Sequence, residues 1–158
     1  MASTVRNNAR STTAEFLVLQ QFVDRRWEIY FPYRDKGFDF VVSKRIGSQI
    51  LWRPIQVKGI YPTVKKKDRR DIGLRGKLSR LDPHMVLAMP FFKPGNSRSP
   101  VFIAYIPLSK IRQNPKLDRP HWCLAASHRS GSPRKKSQFE QHYDTQGLKE
   151  VENPAWGE

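Results

Sequence analysis

The chain has 158 residues, 38% of them hydrophobic, with nine Phe, five Tyr and four Trp: enough for one domain with its own core and too short for two. Its single cysteine, Cys123, excludes an internal disulfide and a cysteine-based zinc site, and no apolar run is long enough to span a bilayer. Lys and Arg number 29 against 14 Asp and Glu, a formal charge of +15 that gathers polyanions and speeds their encounter.

Residues 1–11 are polar and lack the apolar stretch of a secretory signal, so they are expected to be a loose arm on a cytoplasmic protein. Thr12-Thr13-Ala14-Glu15 then matches a capping box, with the Thr12 hydroxyl and the Glu15 carboxylate each satisfying an open backbone amide. Phe16, Leu19, Phe22 and Val23 follow at helical spacing, which predicts a helix from about Thr13 to Arg26. After it the period shortens. Glu28–Phe31 reads as a first strand, Phe38–Ser43 as a second and Ile50–Lys58 as a third, with the last two joined tightly at Gly47-Ser48 as an antiparallel hairpin.

Residues 62–80 hold eight basic residues (Lys65, Lys66, Lys67, Arg69, Arg70, Arg75, Lys77 and Arg80) against two acidic ones, and read as a long basic loop suited to clamping phosphates. His84–Phe92 and Val101–Ile106 are nearly continuous apolar runs, expected as strands buried on both faces. A short helical piece at 107–111, a last edge strand over Trp122–Ala126, a flexible basic loop over 127–138 and a short tail complete the chain. One α/β domain with a mixed sheet of about five strands and flanking helices is expected, with its core over residues 12–107. Charge spread over loops and strand ends, rather than along one amphipathic helix, favours nucleic acid over a membrane as partner.

Asp39 stands among Phe38, Phe40, Val41 and Val42, where an uncompensated carboxylate is costly. Gln56 and Lys58, two apart on the third strand, share a face. If the hairpin forms, a carboxylate, an amide oxygen and an ammonium meet at one end of the sheet, with Glu15 near. Phosphodiester hydrolysis asks for these groups. Mg²⁺ takes oxygen ligands and activates water, and a lysine beside it orients or deprotonates that water or stabilises the transition state.

Glu15, Gly37-Phe38-Asp39 and Gln56-Val57-Lys58-Gly59 resemble the PD-(D/E)XK nuclease superfamily, whose core is a helix followed by a three-stranded meander. The resemblance covers residues 12–59 well and the later strands loosely. It implies a restriction-endonuclease-like core and a metal-dependent DNA endonuclease. Asp39, Gln56 and Glu15 would bind Mg²⁺ or Mn²⁺, with Lys58 as the catalytic lysine. Two departures stand out: Phe38 replaces the usual proline, and Gln56 replaces the second acid, giving a neutral and weaker ligand. The expected partner is duplex or branched DNA, and cutting both strands with one such site implies a homodimer or higher homo-oligomer. Two other readings fit the same residues: a binding module of this fold that has lost activity at Gln56, and a basic RNA- or ribosome-associated protein. Trp52 and Tyr61 are candidates for stacking on bases, with core packing as the alternative use.

Overall fold

The computed structural model describes residues 2–34, 37–61, 72–78, 82–96, 98–111, 121–127 and 140–158. Helix α1 (Ala2–Asp24) starts well before the expected position, so the polar arm is helical over its described length. Thr12 lies inside the helix, which removes the capping box. The Thr13 hydroxyl donates instead to the Ala9 carbonyl at 2.9 Å, and that of Ser11 to the Glu15 carboxylate at 3.0 Å. A tertiary contact supports the added stretch at Arg10: the Tyr61 hydroxyl donates to the Arg10 carbonyl at 2.7 Å, with the Arg10 guanidinium 5.3 Å from the Tyr61 ring centre.

The buried stripe of α1 is Ala14, Val18 and Phe22, at a spacing of four, whereas Phe16 and Val23 remain exposed. Fully burying side chains such as Val18 and Phe22 stabilises by about 1.5–3 kcal/mol each. The helix ends in a Schellman arrangement. Arg26 takes the left-handed conformation at φ 62°, its N–H donates to the Val23 carbonyl at 2.9 Å, and the Trp27 N–H donates to the Phe22 carbonyl at 3.1 Å. Trp27 and Phe22 then meet edge to face with ring centres 5.7 Å apart, the apolar contact that accompanies this cap.

Strands β1 (Glu28–Tyr30), β2 (Phe40–Ile46) and β3 (Gln49–Val57) form an antiparallel meander, the last two paired from Phe40↔Ile55 to Ile46↔Gln49. The short connection through Gly47, at φ 59°, sets that pairing. Three further strands follow: β4 (Ile72–Lys77), β5 (Val86–Phe92) and β6 (Pro100–Pro107). Strand β5 joins β3 in parallel (Ile55↔Val86 to Val57↔Ala88), and β6 pairs antiparallel with β5. The result is the expected mixed five-stranded sheet, in the order β1-β2-β3-β5-β6. Every residue of β5 is buried, as its unbroken apolar sequence predicts. The expected helical piece after β6 is a single 3-10 turn, Leu108–Lys110.

Two expectations need correction. The presumed basic loop contains β4, which pairs antiparallel with β7 (His121–Ser127) in a separate two-stranded sheet, so the expected edge strand does not lie on the main sheet. Ile72 and Leu74 alternate with Gly73 and Arg75, a period of two hidden by charge and glycine. Residues 62–71 and 128–138 lie outside the described residues. The short tail, in turn, contains helix α2 (Asp144–Val151). Leu148, Val151 and Trp156 are buried with α1, β2 and β3 in one cluster, so both helices cover the same face of the sheet.

Arg53 explains how α2 docks. Its buried guanidinium donates to the carbonyls of Val151 (3.2 Å), Asn153 (2.8 Å) and Trp52 (3.3 Å), taking up acceptors left open at the end of the helix. The Trp156 indole N–H adds a bond to the Met85 carbonyl at 3.0 Å. The opposite face of the sheet carries a second cluster that includes Leu87, Met89, Phe91, Phe102 and Ile106. Among the described residues no helix is long and apolar enough to cross a membrane.

Candidate active site

The site forms where β2 begins and β3 ends. Strand β2 starts at Phe40, so the Val57 N–H at the end of β3 has no strand partner on that side, and a buried amide must find another acceptor. The Asp39 carboxylate accepts it at 2.6 Å, while the Asp39 N–H donates to the Ile55 carbonyl at 2.9 Å. Asp39 is thereby clamped to β3 through both backbone and side chain. It precedes β2 rather than lying within it, because the residues before Phe40 leave the ladder to make these bonds. On the other side, the Lys58 N–H donates to the Ala88 carbonyl at 2.9 Å and extends the pairing to β5 by one residue.

Glu15 sits in the middle of α1, at the edge of its buried stripe. Partial burial pushes its carboxyl pKa up. The Ser11 hydrogen bond opposes that shift, the Asp39 charge reinforces it and Lys58 opposes it. Asp39 and Lys58 both act on Glu15, so the three charged groups lie within reach of one another's charge. With Thr12 inside the helix, capping no longer accounts for Glu15.

Gln56 is only 3% exposed, and its side-chain oxygen has no hydrogen-bond partner. Its neighbours Ile55 and Val57 belong to the cluster beneath α1, so the pleat sends Gln56 to the other face, beside its β5 partner Leu87. Glu15 belongs to α1, on the helix-covered face, and Asp39 is bonded to the Val57 amide at the strand ends. An unpaired buried acceptor costs about 1–3 kcal/mol and calls for an explanation. An amide oxygen is a neutral donor of the kind a hard, oxygen-seeking cation takes. Among the described residues no three His, Cys, Asp or Glu side chains form a metal-holding group. The oxygen-bearing side chains of the candidate site are the Glu15 and Asp39 carboxylates and the Gln56 amide.

Gly59 closes the segment tightly, since a Cβ there would lie 2.7 Å from the Tyr61 ring. Tyr61 stacks on Phe92 with ring centres 4.5 Å apart and planes at 4°, so it serves packing. Trp52 is half-exposed and lies against Tyr30, a residue that the sequence reading passed over. The signal for the pair was present: both fall on the outward phase of their strands' alternation. Of the eight basic residues, Arg75 and Lys77 lie on β4 opposite Cys123 and His121, while Lys65, Lys66, Lys67, Arg69, Arg70 and Arg80 lie outside the described residues. Comparison with protein-family models, with curated proteins and with solved structures finds no match to this chain.

Proposed function

We propose that the protein is a metal-dependent endonuclease of the PD-(D/E)XK type, acting on DNA. The buried, partnerless oxygen of Gln56 supports this most, because Gln56 directly precedes Val57, whose amide Asp39 clamps, and stands two residues before Lys58. The order helix, three-stranded meander, with the acid just before the second strand and Gln-x-Lys where the third ends, agrees with that reading. Asp39 and Gln56 would hold Mg²⁺ or Mn²⁺, and Glu15 would add a second carboxylate from the helix side. A bound divalent ion supplies an activated water and neutralises charge on the phosphate oxygens. Lys58 orients the water or stabilises the anionic transition state by charge. Asp39 arrives preoriented by its bond to Val57, which lowers the entropy lost on engaging the ion. The +15 charge draws the substrate in. A homodimer is the assembly that lets one such site per chain cut both strands of a duplex.

The test is plasmid and branched-DNA cleavage with Mg²⁺ or Mn²⁺, comparing wild type with Asp39→Asn and Lys58→Ala. Cutting that requires the ion and is lost in both variants is expected. Salt-sensitive binding without cutting in either metal would leave a binding module on the same fold. An RNA preference untouched by Asp39→Asn would leave the RNA-associated reading.

A further inference from the structure

The face of β1–β3 turned away from α1 has a feature that the hydrolytic site does not use. On β3 the outward residues are Ile50, Trp52, Pro54 and Gln56, and their exposure falls along the strand: the first two are exposed, Pro54 is half-buried and Gln56 is buried. The row is a shallow ramp ending beside Lys58, and six residues of strand from Trp52 to Lys58 span about 20 Å. At its open end Trp52 is 50% exposed and Tyr30 of β1 is 42% exposed, with ring centres 5.2 Å apart and planes at 43°. The pair is held in place. The Tyr30 hydroxyl donates to the Glu28 carboxylate at 2.6 Å, and that of Ser43, between them on β2, reaches the same oxygen at 3.4 Å. Lys44 turns to the helix side, where it meets Glu152 at 2.7 Å, so Arg45 falls on the open face and is exposed there.

We propose that this face binds a single polynucleotide strand by stacking unpaired bases on Trp52 and Tyr30, with Arg45 beside its backbone, and leads that strand down the β3 row toward Gln56 and Lys58. The proposal rests on the nuclease reading for where the strand ends, but not for the binding itself. The chain's +15 charge attracts a polyanion, and exposed Arg45 stands on the same face as the rings, so the charge here complements a nucleic-acid strand. Bases within a duplex present only their edges, whereas unpaired bases offer faces to aromatic side chains. The inferred substrate is therefore DNA with an unpaired segment: a single strand, flap or branch.

The test is fluorescence anisotropy with a labelled thymidine oligonucleotide and with a blunt duplex, in chelator and without metal, so that no cleavage intervenes. Trp52→Ala and Tyr30→Ala should each weaken single-strand binding by roughly tenfold, with a much smaller loss for the duplex. Trp52→Phe should recover most of the affinity, and Phe16→Ala, on the exposed side of α1, should bind as wild type. Wild-type affinity in both alanine variants, or an equal loss for duplex and single strand, overturns the proposal. So does sedimentation showing a wild-type dimer that Trp52→Ala converts to monomer, which would make the face an interface between copies. Retained stacking by a protein that never cuts DNA would sink the nuclease reading alone.

Discussion

Replacing Asp39 separates its structural contribution from its chemical one. Its carboxylate accepts the Val57 N–H at 2.6 Å, a short bond to a charged acceptor at a site where β2 supplies no partner. Bonds of this kind contribute about 1.5–3 kcal/mol, and removing the acceptor also leaves the Val57 amide unsatisfied. Asp39→Ala should therefore destabilise by about 2–3 kcal/mol, which for a domain of this size lowers Tm by roughly 4–12 °C. Asp39→Asn keeps an oxygen in the same place and loses only the charge, so its stability cost should stay below about 1 kcal/mol. Its chemical cost should be far larger. A ligand charge worth several kcal/mol in the transition state predicts at least about a hundredfold loss of cleavage. The assay is a melt of each variant beside a time course of plasmid nicking in Mg²⁺. An Asp39→Asn protein that melts like wild type and still nicks DNA at the wild-type rate refutes the assignment of Asp39 to chemistry and leaves it a strand clamp.

Other perturbations test separate links. Gln56→Glu places a carboxylate where burial is nearly complete, so its Tm should fall in chelator and recover with millimolar Mg²⁺ by more than the wild type gains; equal metal responses would remove Gln56 from the ion site. Arg26→Gly relieves the positive φ of 62° at the end of α1 and should stabilise by about 1 kcal/mol in a denaturant melt; a loss of stability would mean that the Arg26 side chain matters more than its backbone. Burial lowers the pKa of His142 below its ordinary 6.5, so on acidification the unfolded chain takes up that proton first. Stability should then fall as pH drops through about 6.5 and level off below the folded value. The slope should flatten in His142→Gln, and parallel Tm–pH curves for the two proteins would contradict it.

The strands of the main sheet and the side chains of the candidate site were legible from the amino-acid order because their signals are local. Unbroken apolar runs announce β5 and β6, the short turn at Gly47 announces the β2–β3 hairpin, and a lone acid among Phe and Val announces Asp39. What sequence could not decide were features maintained by distant partners. The stretch before Thr12 is polar and reads as an arm, yet the Tyr61 hydroxyl, some fifty residues on, donates to the Arg10 carbonyl and ties that part of the helix to the sheet. Helix α2 has only a short periodic stretch, and it stands because Arg53 closes its open carbonyls and Leu148 and Val151 find the core. Strand β4 has too few apolar residues to announce itself and is completed by pairing with β7.

The same division runs through the site. That Gln56 departs from an acid is visible in the sequence. That its oxygen is buried without a partner, that Asp39 substitutes for a missing strand amide acceptor, and that Glu15 shares a field with Lys58 rather than capping a helix are tertiary facts. Local order specifies which groups a segment carries, because backbone propensity and side-chain alternation act within a few residues. Which of those groups are satisfied, and which are left without a partner, depends on neighbours that only folding brings within hydrogen-bond reach.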